Sequence, residues 1–302
     1  MSKISFAIRS MRLRTIPLSL SGIIVGVFLA ASDYRVNALA IVFLILTAIG
    51  LQVLSNLSNE LGDTLHGTDT AERQGMHYSL QDGGLSIKDM KRLIAGTIVY
   101  CLVIGSLMIY FSFGTLFSLE AILFLLLGGA TIKAAMSYTL GRNPYGYRGL
   151  GDLYVFIFFG IVTVLGGYFI CTHEIATWRL LLPAASIGCF SVAVLNVNNI
   201  RDMKTDAATR TTVAIMLGER NAKIYQTTLV VLGWCLMVAY CMMKIFDPWH
   251  YMFVITLPLF ILHLRGVWTK KDKDLDPMLP LLVISTFVFA LLTGIGFISY
   301  LL

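Results

Sequence analysis

Charged residues are scarce in this chain of 302 residues. Asp, Glu, Lys and Arg together make up 13% of it, whereas a soluble domain usually carries about a quarter. None of the five cysteines forms a C-x-x-C pair, and this absence argues against a zinc site or a redox pair. The formal charge is +6, but no soluble basic domain exists that could bind nucleic acid. The composition therefore argues against a soluble protein and against a nucleic-acid partner.

The chain is instead rich in long apolar runs. Hydrophobic residues make up 57% of it, and the mean hydropathy is +0.79. A helix needs roughly 20 mostly apolar residues to cross a membrane, and nine stretches meet this requirement. They begin near Thr15, Ala38, Leu93, Leu116, Leu150, Trp178, Lys223, His250 and Met278. Because backbone polar groups must be paired within lipid, we predict an all-α, polytopic membrane protein with nine transmembrane helices.

The basic residues are distributed unevenly between the two sides of this topology. With the N-terminus placed in the cytoplasm, all but three of the 23 Lys and Arg residues fall on the cytoplasmic side; the three are Arg35, Arg179 and Lys244. Such an excess is the usual determinant of orientation. We therefore predict a multi-pass protein of the cell (inner or cytoplasmic) membrane, with its N-terminus and long polar loops in the cytoplasm. The first run lacks a clear A-x-A site, which favours a retained span over a cleaved signal peptide.

Two of the apolar runs end in similar polar clusters. The second ends in "LSNLSNELGDTLHGTD" and the sixth in "LNVNNIRDMKTD". Aligning Asn59 with Asn198 places Asp63 on Asp202, so that both clusters contain N-[EN]-x-x-D. Parallel repeats are familiar in membrane proteins. The match suggests that residues 1–302 form one integral-membrane domain, in which four-helix units at about 12–137 and 150–268 are related and a ninth helix follows.

The side-chain oxygens of the two clusters have helical spacing. Residues four apart share a helix face, so each cluster forms an oxygen-bearing stripe at a helix end. If the two ends pack together, their carboxylates repel one another unless a cation binds. Mg²⁺ takes oxygen ligands and often shares them with substrate phosphates. The candidate metal ligands are Asn59, Asp63, Asp69, Asn198, Asp202 and Asp206, and all of these except Asp69 are also the candidate catalytic residues.

Basic residues lie on the same predicted side as the two clusters. They are Arg142, Arg148, Arg201, Lys204 and Arg210, and they could neutralise the charge of a bound diphosphate. Two other interpretations compete with this one. The acids could be solvated residues at the membrane boundary, or they could form the ion pathway of a transporter. Transporter sites lie near the membrane midplane, whereas the middles of these runs hold few ionisable groups, which favours a site at the membrane surface.

Four stretches of the chain resemble the UbiA superfamily of intramembrane prenyltransferases. They are "RLRTIPLSLSGIIVG", "LQVLSNLSNELGDTLHGTD", "YRGLGDLYVFIFFGIVTVLGGYF" and "NVNNIRDMKTDAATRTTVAIMLGERNA". Within the superfamily they are most similar to the 1,4-dihydroxy-2-naphthoate polyprenyltransferase family of menaquinone biosynthesis. The resemblance extends from about Arg12 to Ala222. It implies nine helices around a central cavity that membrane lipid can reach.

The resemblance also implies roles for individual residues. A polyprenyl diphosphate is expected to bind through Mg²⁺ to the candidate ligands listed above, and Tyr138 and Arg142 match the Y-x-x-x-[KR] element. Arg148 lies in the Y-R-G-L-G stretch. Two positions depart from the family pattern. Glu60 stands where an Asp is usual, and the third acid of the first motif is replaced by Gly67, which leaves Asp69 as its substitute.

The activity that the resemblance implies is transfer of a polyprenyl group from a polyprenyl diphosphate to 1,4-dihydroxy-2-naphthoate. Carbon dioxide and diphosphate leave, and demethylmenaquinone forms. Within the superfamily, 4-hydroxybenzoate and haem are alternative acceptors. A hypothesis of a different class is a non-enzymatic carrier or transporter, which would release no diphosphate.

Overall fold

The computed structural model describes residues 2–67 and 79–299. Within these ranges, nine helices are long and apolar enough to cross a membrane, which confirms the predicted all-α, multi-pass architecture. They comprise Lys3–Asp33, Ala38–Leu65, Ile87–Phe113, Leu119–Ser137, Gly151–Thr172, Trp178–Asp206, Val213–Met242, Pro248–Thr269 and Asp272–Ile298. The described residues contain no β-strand, only one isolated bridge between Arg148 and Thr211.

Several spans consist of more than one helical segment. The α-helices are α1 (Lys3–Ser10), α2 (Ile16–Asp33), α3 (Ala38–Leu65), α4 (Ile87–Phe113), α5 (Leu119–Ser137), α6 (Gly151–Val155), α7 (Thr163–Thr172), α8 (Leu181–Asp206), α9 (Val213–Met242), α10 (Leu257–Thr269) and α11 (Met278–Ile298). A π-helical segment, Phe156–Val162, joins α6 to α7. Short 3₁₀ turns occupy Leu13–Thr15, Tyr145–Tyr147, Trp178–Leu180, Pro248–Thr256 and Asp272–Leu275.

Some helices begin well before the apolar runs that predicted them. The run near Leu93 belongs to α4, which begins six residues earlier at Ile87 because Ser86 and Asp89 form a capping box. Likewise, a short helical stretch precedes the run near Lys223: it begins at Val213, where the Thr212 side chain accepts a hydrogen bond from the backbone N–H of Ile215, and the non-helical backbone of Gly218 (φ +75°) separates it from the rest of α9. The hydrophobic pattern thus identified the spans, while polar capping residues determine where they begin.

Helix α8 lies at the centre of the bundle. The most apolar stretch of its span is 72% buried, the largest share among the nine, and α8 packs against α9, α11 and the π-helical segment. Phe190 on α8 is fully buried and contacts the rings of Phe260 and Phe289. Because α8 is held on several sides, the polar cluster at its C-terminal end has a rigid support.

Glycine permits the π-helical segment to approach α8 closely. A Cβ atom on Gly160 would lie 2.6 Å from the Cα atom of Gly188 and 2.7 Å from the carbonyl oxygen of Ala184. No side chain fits into this gap. π-Helical turns are frequently found at functional sites, and this one contributes Phe158, Phe159 and Val162 to the wall of the central cavity.

The relationship between the two four-helix units, at about 12–137 and 150–268, stays a prediction.

Candidate active site

A cavity of about 380 Å³ lies inside the helix bundle and is lined by residues of α2 to α8 and of the π-helical segment. Its polar mouth is formed by the C-terminal ends of α3 and α8, where Asn59, Asp63 and Asn198 are on the wall. Apolar side chains continue the wall toward the other end of the helices. They include Ile23, Leu44, Met108, Phe124 and Ile170. The cavity can therefore hold a ligand with a polar head and a long apolar tail.

The first acidic motif lies on the cavity wall as its spacing predicts. Asp63 is 4% exposed, and its Oδ1 atom accepts a hydrogen bond from the hydroxyl of Tyr147 at 2.7 Å. The Oδ1 atom of Asn59 accepts a hydrogen bond from the hydroxyl of Thr139 at 3.2 Å. Both oxygen-bearing side chains are thus oriented by residues from the segment that follows α5.

The second acidic motif is held mainly by Arg201. The guanidinium donates to both carboxylate oxygens of Asp202, at 2.8 and 2.7 Å. It also donates to Oδ1 of Asn198 at 2.9 Å and to Oδ1 of Asp276 at 2.6 Å. Arg201 is 3% exposed and Asp202 1% exposed, and neither is among the residues that line the cavity. The positive charge of Arg201 therefore compensates the carboxylates of Asp202 and Asp276 from a position outside the cavity wall.

Arg210 joins the two acidic motifs. It forms an ion pair with Asp206 at the end of α8, and its Nη1 atom lies 4.0 Å from Oδ1 of Asp63 at the end of α3. Burial alone would lower the pKa of Arg210, but the nearby carboxylates of Asp206 and Asp63 outweigh it and raise the pKa. The guanidinium therefore stays charged, and the two acidic helix ends meet at one mouth around a cation that lines the cavity.

Other predicted basic residues lie away from the cavity wall. Arg142 and Arg148 are exposed on the segment after α5, and Lys204 is an exposed residue that pairs with Asp272 at 2.7 Å. Asp69 lies outside the described residues. The structure therefore brings Asn59, Asp63, Tyr138, Asn198 and Arg210 together on the cavity wall, places Asp202, Asp206 and Arg201 directly behind them, and leaves Arg142, Arg148 and Lys204 at the periphery.

Glu60 has a different position from its neighbours in the first motif. Its side chain is fully buried, it is absent from the cavity wall, and its Oε1 atom accepts a hydrogen bond from the backbone N–H of Leu80 at 2.9 Å. This contact anchors the chain that leads from residue 79 into α4.

A second polar wall faces the cavity from α3 and the start of α2. Gln52 donates through Nε2 to Thr15 Oγ1 at 3.1 Å and to Asn56 Oδ1 at 3.2 Å, and Asn56 donates to the carbonyl of Met11 at 2.9 Å. Arg12 also lines this wall. Gln52 is 8% exposed, and its Oε1 atom has no hydrogen-bond partner in the described part of the chain. The sequence signal was the spacing of positions 52, 56, 59 and 63, which places four polar residues on one face of an apolar helix.

Aromatic rings form a third side of the cavity. Tyr145 stacks on Tyr154 with ring centroids 3.9 Å apart, and Tyr138 meets Tyr145 edge to face at 5.3 Å. All three line the cavity together with Phe158. Burial raises the pKa of Tyr138 to about 12, so its hydroxyl remains protonated and can donate a hydrogen bond at neutral pH.

The donor set at the mouth fits Mg²⁺ that is shared with a substrate. Within residues 2–67 and 79–299, no three His, Cys, Asp or Glu side chains are close enough to form a protein-only metal cluster. The cavity wall instead offers one carboxylate, Asp63, and two amide oxygens, from Asn59 and Asn198. Mg²⁺ typically takes one or two protein carboxylates and completes its shell with water and substrate phosphate oxygens. This oxygen-only set meets that requirement.

The chain is similar to known proteins in both sequence and fold. Residues 19–282 match the UbiA prenyltransferase family. The 1,4-dihydroxy-2-naphthoate octaprenyltransferase of Escherichia coli (strain K12) is 34% identical over 293 residues, which cover 96% of this chain and 93% of that protein.

Two solved structures share the fold. A UbiA homologue from Aeropyrum pernix K1, solved in its apo form, superposes with a TM-score of 0.72 at 18% identity and covers 96% of this chain and 99% of that chain. A UbiA homologue from Archaeoglobus fulgidus bound to GPP and Mg²⁺ has a TM-score of 0.67 at 15% identity, covering 97% and 99%.

Proposed function

The chain belongs to the UbiA prenyltransferase family, and from this premise we propose that it transfers a polyprenyl group from a polyprenyl diphosphate to 1,4-dihydroxy-2-naphthoate. One observation supports this most strongly. The acidic ends of α3 and α8 meet around Arg210 at the polar mouth of an apolar cavity. The relative in Escherichia coli, whose name carries this acceptor, aligns over 96% of the chain. The mouth is expected to face the cytoplasmic side of the cell (inner or cytoplasmic) membrane.

The diphosphate binds at the mouth in this proposal. Asn59, Asp63 and Asn198 would hold Mg²⁺ there, and Asp202 and Asp206 would complete the acidic site. When bound, Mg²⁺ supplies positive charge that stabilises the diphosphate as its bond to the allylic carbon breaks. Arg210, which contacts Asp206 and Asp63 in the structure, turns its guanidinium toward the phosphate oxygens, where a charge-assisted hydrogen bond is strong. Tyr138 donates a further hydrogen bond to the diphosphate.

The predicted diphosphate contacts of Arg142, Arg148, Arg201 and Lys204 stay predictions. Arg201 already donates hydrogen bonds to the side chains of Asp202, Asp276 and Asn198. Its role in the proposed site is therefore to hold Asp202 in place. The two exposed arginines would approach the phosphates only from the solvent side of the mouth.

The acceptor binds beside the polar wall of α2 and α3. Arg12 is the cation suited to the acceptor's carboxylate, and the unpaired Oε1 atom of Gln52 can accept a hydrogen bond from one of its hydroxyl groups. The ring then stacks against Tyr154, whose ring lines the same cavity. The prenyl chain occupies the apolar part of the cavity, where water is excluded from the allylic cation.

The reaction balances without a dedicated protein base. The C–O bond of the prenyl diphosphate breaks, and its electron pair leaves with the diphosphate. The ring carbon that bears the carboxylate forms the new C–C bond. The bond to the carboxylate then breaks, its electrons restore the aromatic ring, and carbon dioxide departs. The product is demethylmenaquinone in its reduced form.

An assay in detergent tests the proposal. Purified protein is mixed with Mg²⁺, a short prenyl diphosphate and dihydroxynaphthoate labelled in its carboxyl carbon. We expect labelled carbon dioxide, free diphosphate and a prenylated product that lacks the carboxyl group. A prenylated product that retains the label would indicate simple prenylation of an aromatic acceptor, and the absence of diphosphate release would favour a carrier.

A further inference from the structure

A short segment after α5 connects the ends of α3 and α8. This segment, Tyr145–Gly149, follows the backbone of the loop after α8. The carbonyl of Tyr147 accepts a hydrogen bond from the N–H of Thr211 at 3.0 Å, and the N–H of Gly149 donates to the carbonyl of Thr211 at 2.9 Å. Gly149 has φ of +74°, which favours glycine. The two hydrogen bonds fix the loop that carries Arg210, one residue away.

The side chain of Tyr147 reaches the other acidic motif. Its hydroxyl donates to Oδ1 of Asp63 at 2.7 Å, and its ring packs edge-on against His66 at the end of α3, with centroids 5.3 Å apart. One residue therefore contacts Asp63 through its side chain and the Arg210 loop through its backbone.

We propose that Tyr147 is a positioning residue for prenyl transfer, which sets the orientation of Asp63 relative to Arg210. The inference rests on the proposed function, because it assigns Asp63 to the Mg²⁺–diphosphate site. A carboxylate at a helix end can rotate about two side-chain bonds. A short O–H···O⁻ hydrogen bond restricts this rotation. Outer-shell partners of metal ligands typically contribute about 10- to 100-fold to metal affinity or activity.

Tyr147→Phe is the direct test, because it removes only the hydroxyl and keeps both the ring contact with His66 and the backbone hydrogen bonds to Thr211. We expect the Mg²⁺ concentration for half-maximal activity to rise about 10- to 100-fold, with the KM for the acceptor unchanged. A second readout does not depend on turnover. Mg²⁺-dependent binding of a non-reactive prenyl thiodiphosphate should weaken by a similar factor.

The control is Tyr100→Phe, which removes a hydroxyl near the carbonyl of Leu46 on the lipid-facing side of α3 and α4. It should leave both measurements unchanged. Folding of each variant is checked by thermal unfolding in detergent. If folded Tyr147→Phe shows wild-type Mg²⁺ dependence and analogue binding, the positioning role is refuted while the proposed function stands. If the wild-type protein binds no analogue with Mg²⁺, the proposed function fails and this inference fails with it.

Discussion

The ion pairs of Arg210 make a strong prediction about stability. The side chains of Arg210, Asp206 and Asp63 are only 11%, 7% and 6% exposed. Arg210→Gln leaves two carboxylates close together without their shared cation. Removing one partner of a buried ion pair costs roughly 3–5 kcal/mol. Because glutamine can still donate one hydrogen bond, worth about 1 kcal/mol, we expect a loss of about 2–4 kcal/mol in the free energy of unfolding.

Mg²⁺ should reverse much of this loss. A ligand that binds only the folded state stabilises it by about 2.7 kcal/mol at a concentration 100 times its Kd. In the variant, Arg210 no longer competes for Asp63 and Asp206, so the stabilisation by Mg²⁺ should exceed that of the wild-type protein. The assay is thermal unfolding in detergent, first with EDTA and then over a series of Mg²⁺ concentrations in the presence of inorganic diphosphate, which supplies the phosphate oxygens that the Mg²⁺ shell needs.

Arg148→Gln is the matched control, since Arg148 is an exposed arginine on the neighbouring segment. Exposed substitutions usually change stability by less than about 0.5 kcal/mol. Wild-type stability of Arg210→Gln in EDTA would refute the idea that Arg210 holds the two acidic helix ends together. A destabilised variant that Mg²⁺ does not rescue would place the metal elsewhere.

Three further predictions concern the pH dependence and the packing. Burial raises the pKa of Tyr138 to about 12. The contribution of the protonated Tyr138 hydroxyl to stability is therefore complete below pH 10 and is lost as the pH rises toward 12. Unfolding measured as a function of pH should lack this loss in Tyr138→Phe. Gln226→Leu should destabilise the fold by about 1–3 kcal/mol, since it removes the buried hydrogen bonds of Gln226 to His263 at 3.0 Å and from Asn196 at 2.8 Å. Chemical unfolding measures this, and an unchanged midpoint would contradict it. Gly160→Ala should lower the unfolding temperature because its Cβ would meet α8 at 2.6 Å, whereas Gly166→Ala, with open space, should not.

The fold was predictable because each span is a separate apolar run. A hydrophobic segment of this length must be helical in lipid wherever it packs. The first residues of the helices were harder to predict, since the capping residues Ser86 and Thr212 lie in polar sequence outside the apolar runs. The helix order therefore followed from hydropathy, and the boundaries followed from local hydrogen bonds.

The candidate site was predictable in part. The four-residue spacing of Asn59 and Asp63 specifies one helix face, and the structure places both on the cavity wall. The role of a basic residue could not be derived in the same way, because it depends on loop geometry. Arg210 and Arg148 are both loop arginines, yet only Arg210 turns toward the acids. The hydrogen bond from Tyr147 to Asp63 spans 84 residues, and no local pattern encodes it.

The central claim is that the acidic ends of α3 and α8 together bind a diphosphate through Mg²⁺. The most direct measurement is the affinity of a non-reactive prenyl thiodiphosphate, with and without Mg²⁺, for the wild-type protein and for Asp63→Asn and Asp202→Asn. We predict that the wild-type protein binds the analogue only with Mg²⁺. Each substitution, one on each helix, should abolish this binding while the protein stays folded. Undiminished binding to both variants would contradict the claim.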